Sequence, residues 1–227
     1  MAKFKIISLG GSIIIPSSGF DISFLKKFRD LIVERVKKGD KFILVVGGGA
    51  TCRAYQDAAK QVVPMTNNDL DWLGIKTTIF NAEFVRTLFK DLAHAEIVTN
   101  PTKKIKTNKS IIIAAGWKPG CSTDHDAVLL AKTYSAKEVV NASNISYVYT
   151  ADPKKDVNAK PLPNLTWNEM KKIVGDTWSP GANVPFDPKA VKTAARLGLT
   201  VRFIKGTDLA MLRSVLLGDK FSGSVIQ

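Results

Sequence analysis

Three stretches of the chain end an apolar run in glycine: "SLGGS" at 8–12, "VVGGGATCR" at 45–53 and "AAGWKPGCSTD" at 114–124. Glycine at a strand end lets the backbone turn sharply and lets its N–H groups approach an anion with no Cβ in the way. A helix starting directly behind such a loop adds its dipole and its unpaired first-turn amides. The chemistry this suits is the holding of several phosphates at one place. Arg53 follows the second loop by about one helical turn, where a guanidinium can offset phosphate charge. Taken singly, each loop also suits a plain strand-to-helix turn; the three together favour a site.

Familiar templates are absent. No G-x-x-x-x-G-K-[ST] occurs, and "GGGATC" is not G-x-G-x-x-G, which excludes a P-loop NTPase and an ordinary dinucleotide-binding domain. Cys52, Cys121, His94 and His125 show neither a metal-ligand spacing nor a disulfide framework, so reduced thiols and no structural metal are expected.

The elements that must position these loops alternate between strand and helix, which predicts an α/β fold with a mainly parallel central sheet. The strand at 4–9 precedes a helix whose apolar stripe is Phe24, Leu25, Phe28, Leu31, Ile32 and Val36, with Asp21 to cap it and Gly39 to end it. "KFILVV" runs into the second glycine loop and the helix "ATCRAYQDAAKQ". A helix is expected over 69–92 with Phe80, Phe84, Leu88 and Leu92 on one face, its start near Gly74 being the weaker part. Further on come "SIIIAAG", "EVVNA", "TVRFI" and a terminal "SVIQ" as strands. Thr166 and Glu169 have capping-box spacing inside a Leu165–Met170 staple, Asp187–Pro188 opens a helix that Gly198 closes, and "DLAMLRSVLLG" forms the last one.

With 227 residues, 45% of them hydrophobic, the chain reads as one domain with two closely merged lobes. No apolar run approaches the roughly 20 residues of a membrane span, and no signal-peptide pattern opens the chain, so a cytoplasmic protein is expected. The formal net charge of +13 attracts polyanions. Its densest basic run, 102–109, lacks interleaved aromatics, so a solvated loop is expected there and nucleic acid is not an expected partner.

The order and spacing of "SLGGS", "VVGGG" with Arg53, "GWKPGCSTDHDAVLLA", "VYTADPKKD" and "FDPKAVKTAARLGL" resemble the amino acid kinase superfamily, most of all its archaeal-type uridylate kinases, over essentially the whole chain. The resemblance implies a three-layer αβα sandwich, an acceptor-binding lobe over about 1–135 and an ATP-binding lobe over about 136–227. It implies transfer of the ATP γ-phosphoryl to UMP with Mg2+, and assembly as a homo-oligomer, usually a hexamer. By motif, Gly10, Gly11 and Ser12 would contact the phosphates at the transfer point, Gly47 the acceptor and Gly48 the donor, and Arg53 would neutralise charge. Asp71 would contact the acceptor nucleoside, and Trp117, Lys118, Pro119, Gly120, Cys121, Ser122 and Thr123 would form the acceptor loop. Ser143, Asn144, Tyr149 and Asp152 would hold ATP.

Blander roles stay open for several of these. Arg53 also suits a helix surface, Asp71 and Asp152 suit turns or caps, Tyr149 suits packing, and Thr123 with Asp126 has capping-box spacing. Asp124 suits the first turn of a helix, and Lys192 and Lys205 are further phosphate partners by charge alone. The chain departs from the family at Ser8, where many members carry lysine, at Ser146 and Tyr147, which replace Asp and Gly, and at Ala115 before bulky Trp117. These departures leave two alternatives: a kinase of another small phosphate or carboxylate, or a non-catalytic ATP and oxyanion binder like the molybdenum storage protein.

Overall fold

The computed structural model describes residues 3–179 and 184–227. In chain order the elements are β1 (Phe4–Leu9), α1 (Gly11–Ile14), α2 (Ile22–Lys37), β2 (Lys41–Val46), α3 (Gly49–Val62), α4 (Asn67–Phe89), a 3-10 turn (Lys90–Leu92), β3 (Ile111–Ala114), α5 (Thr123–Thr133) and β4 (Glu138–Ser143). There follow β5 (Val148–Tyr149), β6 (Pro161–Leu162), β7 (Asn164–Leu165), α6 (Trp167–Val174), α7 (Pro188–Leu197), β8 (Thr200–Lys205), α8 (Leu209–Leu217) and β9 (Ser224–Ile226).

Seven strands form one sheet in the order β3-β2-β1-β4-β8-β9-β7, and β5 pairs with β6 in a separate ribbon. The five strands from β3 to β8 are mutually parallel, whereas β9 runs antiparallel to β8. The chain builds outward from β1 to β2 and β3 on one side, then crosses to β4 on the other. That reversal opens a crevice beyond the carboxyl ends of β1 and β4, where ligands of open α/β sheets gather.

Both sheet faces are covered, giving the expected three layers. Ile6, Ile43, Val45 and Ile112 pack with Val128 of α5, Met170 of α6 and Val191 of α7. The alternate residues Ile7, Leu9, Leu44 and Ile113 pack with Phe28 and Ile32 of α2, Val85 of α4 and Leu212 of α8. The period of two along each strand thus feeds two separate cores, each large side chain contributing about 1.5–3 kcal/mol on burial.

Helix ends follow the local signals. Asp21 accepts from Phe24 N at 2.9 Å, the Thr166–Glu169 capping box closes, Asp187 caps α7 ahead of Pro188, and Gly198 ends it in the left-handed region at φ 59°. A second capping box, Thr66 with Asp69, starts α4 earlier than expected, and the helix passes Gly74 unbroken. Of the stripe expected here, Phe84, Leu88 and Leu92 are half-buried against the core, but Phe80 is 72% exposed, and the most buried face carries Ile75, Thr78, Ala82, Val85 and Phe89. Steps of four residues drift about 40° each around a helix of 3.6 per turn, so the row starts at Phe80 outside the core face and reaches its edge from Phe84 onward.

Candidate active site

The first two glycine loops interlock backbone against backbone. A Cβ on Gly11 would lie 2.1 Å from Gly49 N and 2.6 Å from Gly47 C, and one on Gly47 would lie 2.6 Å from Gly11 N. Gly49 adds a positive φ of 63°. Gly10 N donates to Ala142 O, Gly47 N to Leu9 O and Ala50 N to Ile15 O, which seats both loops on the sheet end. Asn81, fully buried on α4, donates its amide to Gly47 O at 3.0 Å and Gly48 O at 2.8 Å. Three of these glycines are therefore demanded by close approach, and the same approach brings the starts of α1 and α3 side by side.

These helix starts open on a cleft of about 640 Å³. Ser12, Gly48, Arg53, Asp71, Cys121, Ser122, Thr123 and Asn144 line it, together with Gly74, Thr78, Lys154 and Trp178. Gly10, Gly11, Gly47, Trp117, Lys118, Pro119 and Gly120 are not on that wall; the first three lie in the interlocked loops and the others on the loop that borders it. Lys118 instead holds its ammonium 4.2 Å over the Trp117 ring.

That bordering loop hangs from side chains of three other segments. Gly116 N donates to Thr78 Oγ1 at 2.9 Å, Trp117 N to Asp126 Oδ2 at 3.2 Å, Gly120 N to Asp71 Oδ2 at 2.7 Å and Ser122 N to Asp187 Oδ2 at 2.6 Å. Side-chain oxygens that accept from four backbone amides fix the loop by directional bonds, so it is set before any ligand arrives. The second oxygen of Asp71 accepts from Trp178 Nε1 at 3.4 Å.

Thr123 does not form the capping box its spacing with Asp126 allowed. Ser122 is the N-cap of α5, its side chain accepting from Asp124 N, because Asp126 is turned inward to Trp117 N. Burial raises the Asp126 carboxyl to about 8, the Trp117 amide offsetting only part of that. Asp124 is also raised by burial, to about 6, although Ser8 Oγ at 2.8 Å and Asn141 Nδ2 at 2.9 Å donate to it. Ser8 thus occupies its position with a neutral hydroxyl tied to a carboxyl, not with a cation facing the cleft.

Burial raises both thiols, Cys121 to about 12, so neither is a nucleophile at neutral pH. His125 is lowered by burial, and its Nε2 lies 3.2 Å from Thr193 Oγ1. Lys192 is bound to Asp176 at 3.0 Å, and Lys205 lines neither cleft.

A second cleft of about 280 Å³ adjoins the first. Ser143, Asn144, Tyr149 and Asp152, the expected ATP set, all line it. Tyr147, which stands where the family has glycine, packs edge-on to Tyr149 with ring centres 6.4 Å apart. Asn144 and Lys154 line both clefts, and among the described residues that line them the cationic side chains are Arg53 and Lys154. No group of three or more His, Cys, Asp or Glu that could hold a metal ion occurs among the described residues.

The sequence reading missed Thr78, Asn81, Lys154, Asp187 as a loop anchor, and Trp178. Asp71, Gly74, Thr78 and Asn81 lie three or four apart on α4, so helical spacing from Asp71 carries the signal for the first two. Nothing local marks Trp178, which reaches the cleft from the segment after α6.

No helix among the described residues is long and apolar enough to cross a membrane. The family model for the amino acid kinase family matches residues 3–205. The chain is 31% identical to a uridylate kinase of Methanocorpusculum labreanum over 97% of its own length and 94% of that protein. It is 32% identical to a uridylate kinase of Pyrococcus abyssi over 98% of each. The crystal structure of uridylate kinase from Archaeoglobus fulgidus superposes with a TM-score of 0.81 at 29% identity, covering 99% of this chain and all (100%) of that one. By motif, fold and these likenesses together, the chain belongs to the amino acid kinase family.

Proposed function

We propose that the chain transfers the γ-phosphoryl of ATP to UMP, giving UDP and ADP. The observation that supports this reading best is the meeting of two clefts at Asn144 and Lys154, one lined by Asp71, Cys121, Ser122 and Thr123 of the expected acceptor residues and the other by the expected ATP residues. The relatives named as uridylate kinases supply the acceptor.

Phosphoryl transfer needs alignment of two anions and offset of charge on the equatorial oxygens, with no covalent nucleophile on the protein. In this reading the first-turn amides behind Gly11 and Gly48 that stay unpaired, which leaves out Ile13 N and Ala50 N, receive phosphate oxygens, with Ser12 beside them. Arg53 offsets charge from the acceptor side, and Lys154 stands at the junction where the phosphoryl crosses. Ser8 keeps Asp124 hydrogen-bonded beneath the loops, so the positive charge comes from those two side chains and from Mg2+. Mg2+ would come bound to the ATP phosphates and would shield their charge, since no group of three or more His, Cys, Asp or Glu among the described residues offers it a separate cage. Asp71 and the loop from Trp117 to Thr123 receive the nucleoside and phosphate of UMP. Ser143, Asn144, Tyr149 and Asp152 receive ATP.

The same reading divides the chain into an acceptor lobe over about 1–135 and an ATP lobe over about 136–227. It also carries assembly as a homo-oligomer, a hexamer by resemblance, in the cytoplasm. The exposed side chains of Tyr55, Val62, Trp72 and Phe80 on α3 and α4 support self-association. ADP release from MgATP, measured with UMP, CMP, AMP, isopentenyl phosphate, carbamate, N-acetylglutamate and no acceptor, tests the reading. A rate confined to UMP is expected; a rate with another acceptor reassigns the substrate, and none at all supports a binding protein.

A further inference from the structure

Gly74 sits in the interior of α4, where glycine is the worst residue for a helix apart from proline. No positive φ accounts for it, and no crowding does. A Cβ there would meet only Cys52 Sγ and Gln56 Nε2, each at 3.5 Å, which is ordinary contact. This distinguishes it from Gly11 and Gly47, which the backbone demands. What Gly74 does provide is room in the larger cleft, one helical turn beyond Asp71 and on the same face of α4.

Trp178 lines that cleft as well, and its indole N–H is bonded to Asp71 Oδ1. An indole N–H lies in the ring plane, so this bond uses an edge and leaves the faces for contact. At 3.4 Å it is also the longer of the two Asp71 bonds, the one that yields most easily to a ribose hydroxyl. An aromatic wall, a helix face lacking a Cβ and a carboxylate between them match a planar base with its sugar attached.

We propose that Gly74 and Trp178 form the slot that receives the nucleobase of the acceptor, with Trp178 stacking on the ring and Gly74 leaving the space it enters. The proposal rests on the reading of the chain as a UMP kinase and adds two base-binding residues to it. Base–aromatic stacking is sequence-tolerant by itself. The slot therefore sets the fit of a flat ring, while the choice among bases falls to polar groups around it.

The experiment combines steady-state kinetics with UMP titration of tryptophan fluorescence and thermal melting. Gly74→Ala is expected to melt at the same temperature or higher, since alanine favours the helix, yet to raise the KM for UMP at least fivefold with the KM for ATP unchanged. Trp178→Ala is expected to raise the UMP constant similarly, and Trp178→Phe to restore most of it. UMP should quench wild-type fluorescence, and Trp178→Phe should lose the larger part of that quench, Trp117 on the bordering loop being the other tryptophan near the ligand. Wild-type UMP constants in both Gly74→Ala and Trp178→Ala, or an undiminished quench in Trp178→Phe, overturn the slot. Quenching by UMP without turnover in the wild type keeps the slot and discards the kinase reading; neither quench nor turnover overturns both.

Discussion

Gly120 donates its amide hydrogen to the Asp71 carboxylate over 2.7 Å, joining α4 to a loop 49 residues away. Asp71 therefore fixes the loop that carries Gly120 as well as facing the cleft. In Asp71→Asn one carboxamide face carries hydrogens and opposes either Gly120 N–H or Trp178 Nε1–H. The expected result is a KM for UMP raised about tenfold, or ~1.4 kcal/mol, with the ATP constant nearly unchanged. Equal changes in both constants would mean that the whole active site had shifted.

Gly11→Ala should destabilise the fold by ~2–4 kcal/mol or prevent it, because its Cβ would lie 2.1 Å from Gly49 N with backbone on both sides. Gly19→Ala, at φ 91° but in open space, should cost only about 1 kcal/mol. Urea unfolding of the two variants makes the comparison. Similar losses in both would contradict the interlocked loops.

These glycines show how far the sequence could be read. Strand ends rich in glycine announced a crevice, and the strand and helix order followed from apolar periods of two and 3.6, which two-sided burial of the sheet enforces. What stayed hidden depended on contacts between distant segments. The spacing of Thr123 and Asp126 suited a capping box, but Asp126 is drawn inward by the Trp117 amide and Ser122 takes the cap. Phe80 seemed to belong to a core stripe only because a four-residue step resembles helical spacing over short distances. Trp178 and Asp187 reach the acceptor region from the second half of the chain, and no local pattern encodes that.

The buried carboxyls give stability a pH dependence of known sign. Asp126 at about 8 and Asp124 at about 6 bind protons more tightly folded than unfolded, so their contribution is full below pH ~4 and is lost as pH rises through their folded values. His125, lowered by burial, acts oppositely and costs stability as pH falls below its ordinary 6.5. Comparing wild type with Asp126→Asn isolates the first effect. The wild type should lose stability relative to the variant between about pH 4 and 8, by at most ~1.4 kcal/mol per pH unit. Parallel profiles from chemical denaturation would show Asp126 to be ionised throughout.

In the proposed transfer Lys154 and Arg53 divide the charge, Arg53 lining the larger cleft and Lys154 both. Lys154→Met should lower kcat more than tenfold with both KM values within about threefold, since a cation at the junction acts mainly on the transition state. Arg53→Ala should weaken kcat/KM for UMP by at least tenfold, about 1.4 kcal/mol, through loss of a charge-assisted contact. Wild-type kinetics in either variant would remove that side chain from the site.

In the proposed reaction one phosphoryl group passes between the two clefts that Asn144 and Lys154 both line. Its most direct test is a single turnover with ATP labelled in the γ-phosphate, Mg2+ and UMP, following the label. Labelled UDP is expected to form in step with ADP. Label that stays in ATP, or leaves as inorganic phosphate with UMP unchanged, would contradict it.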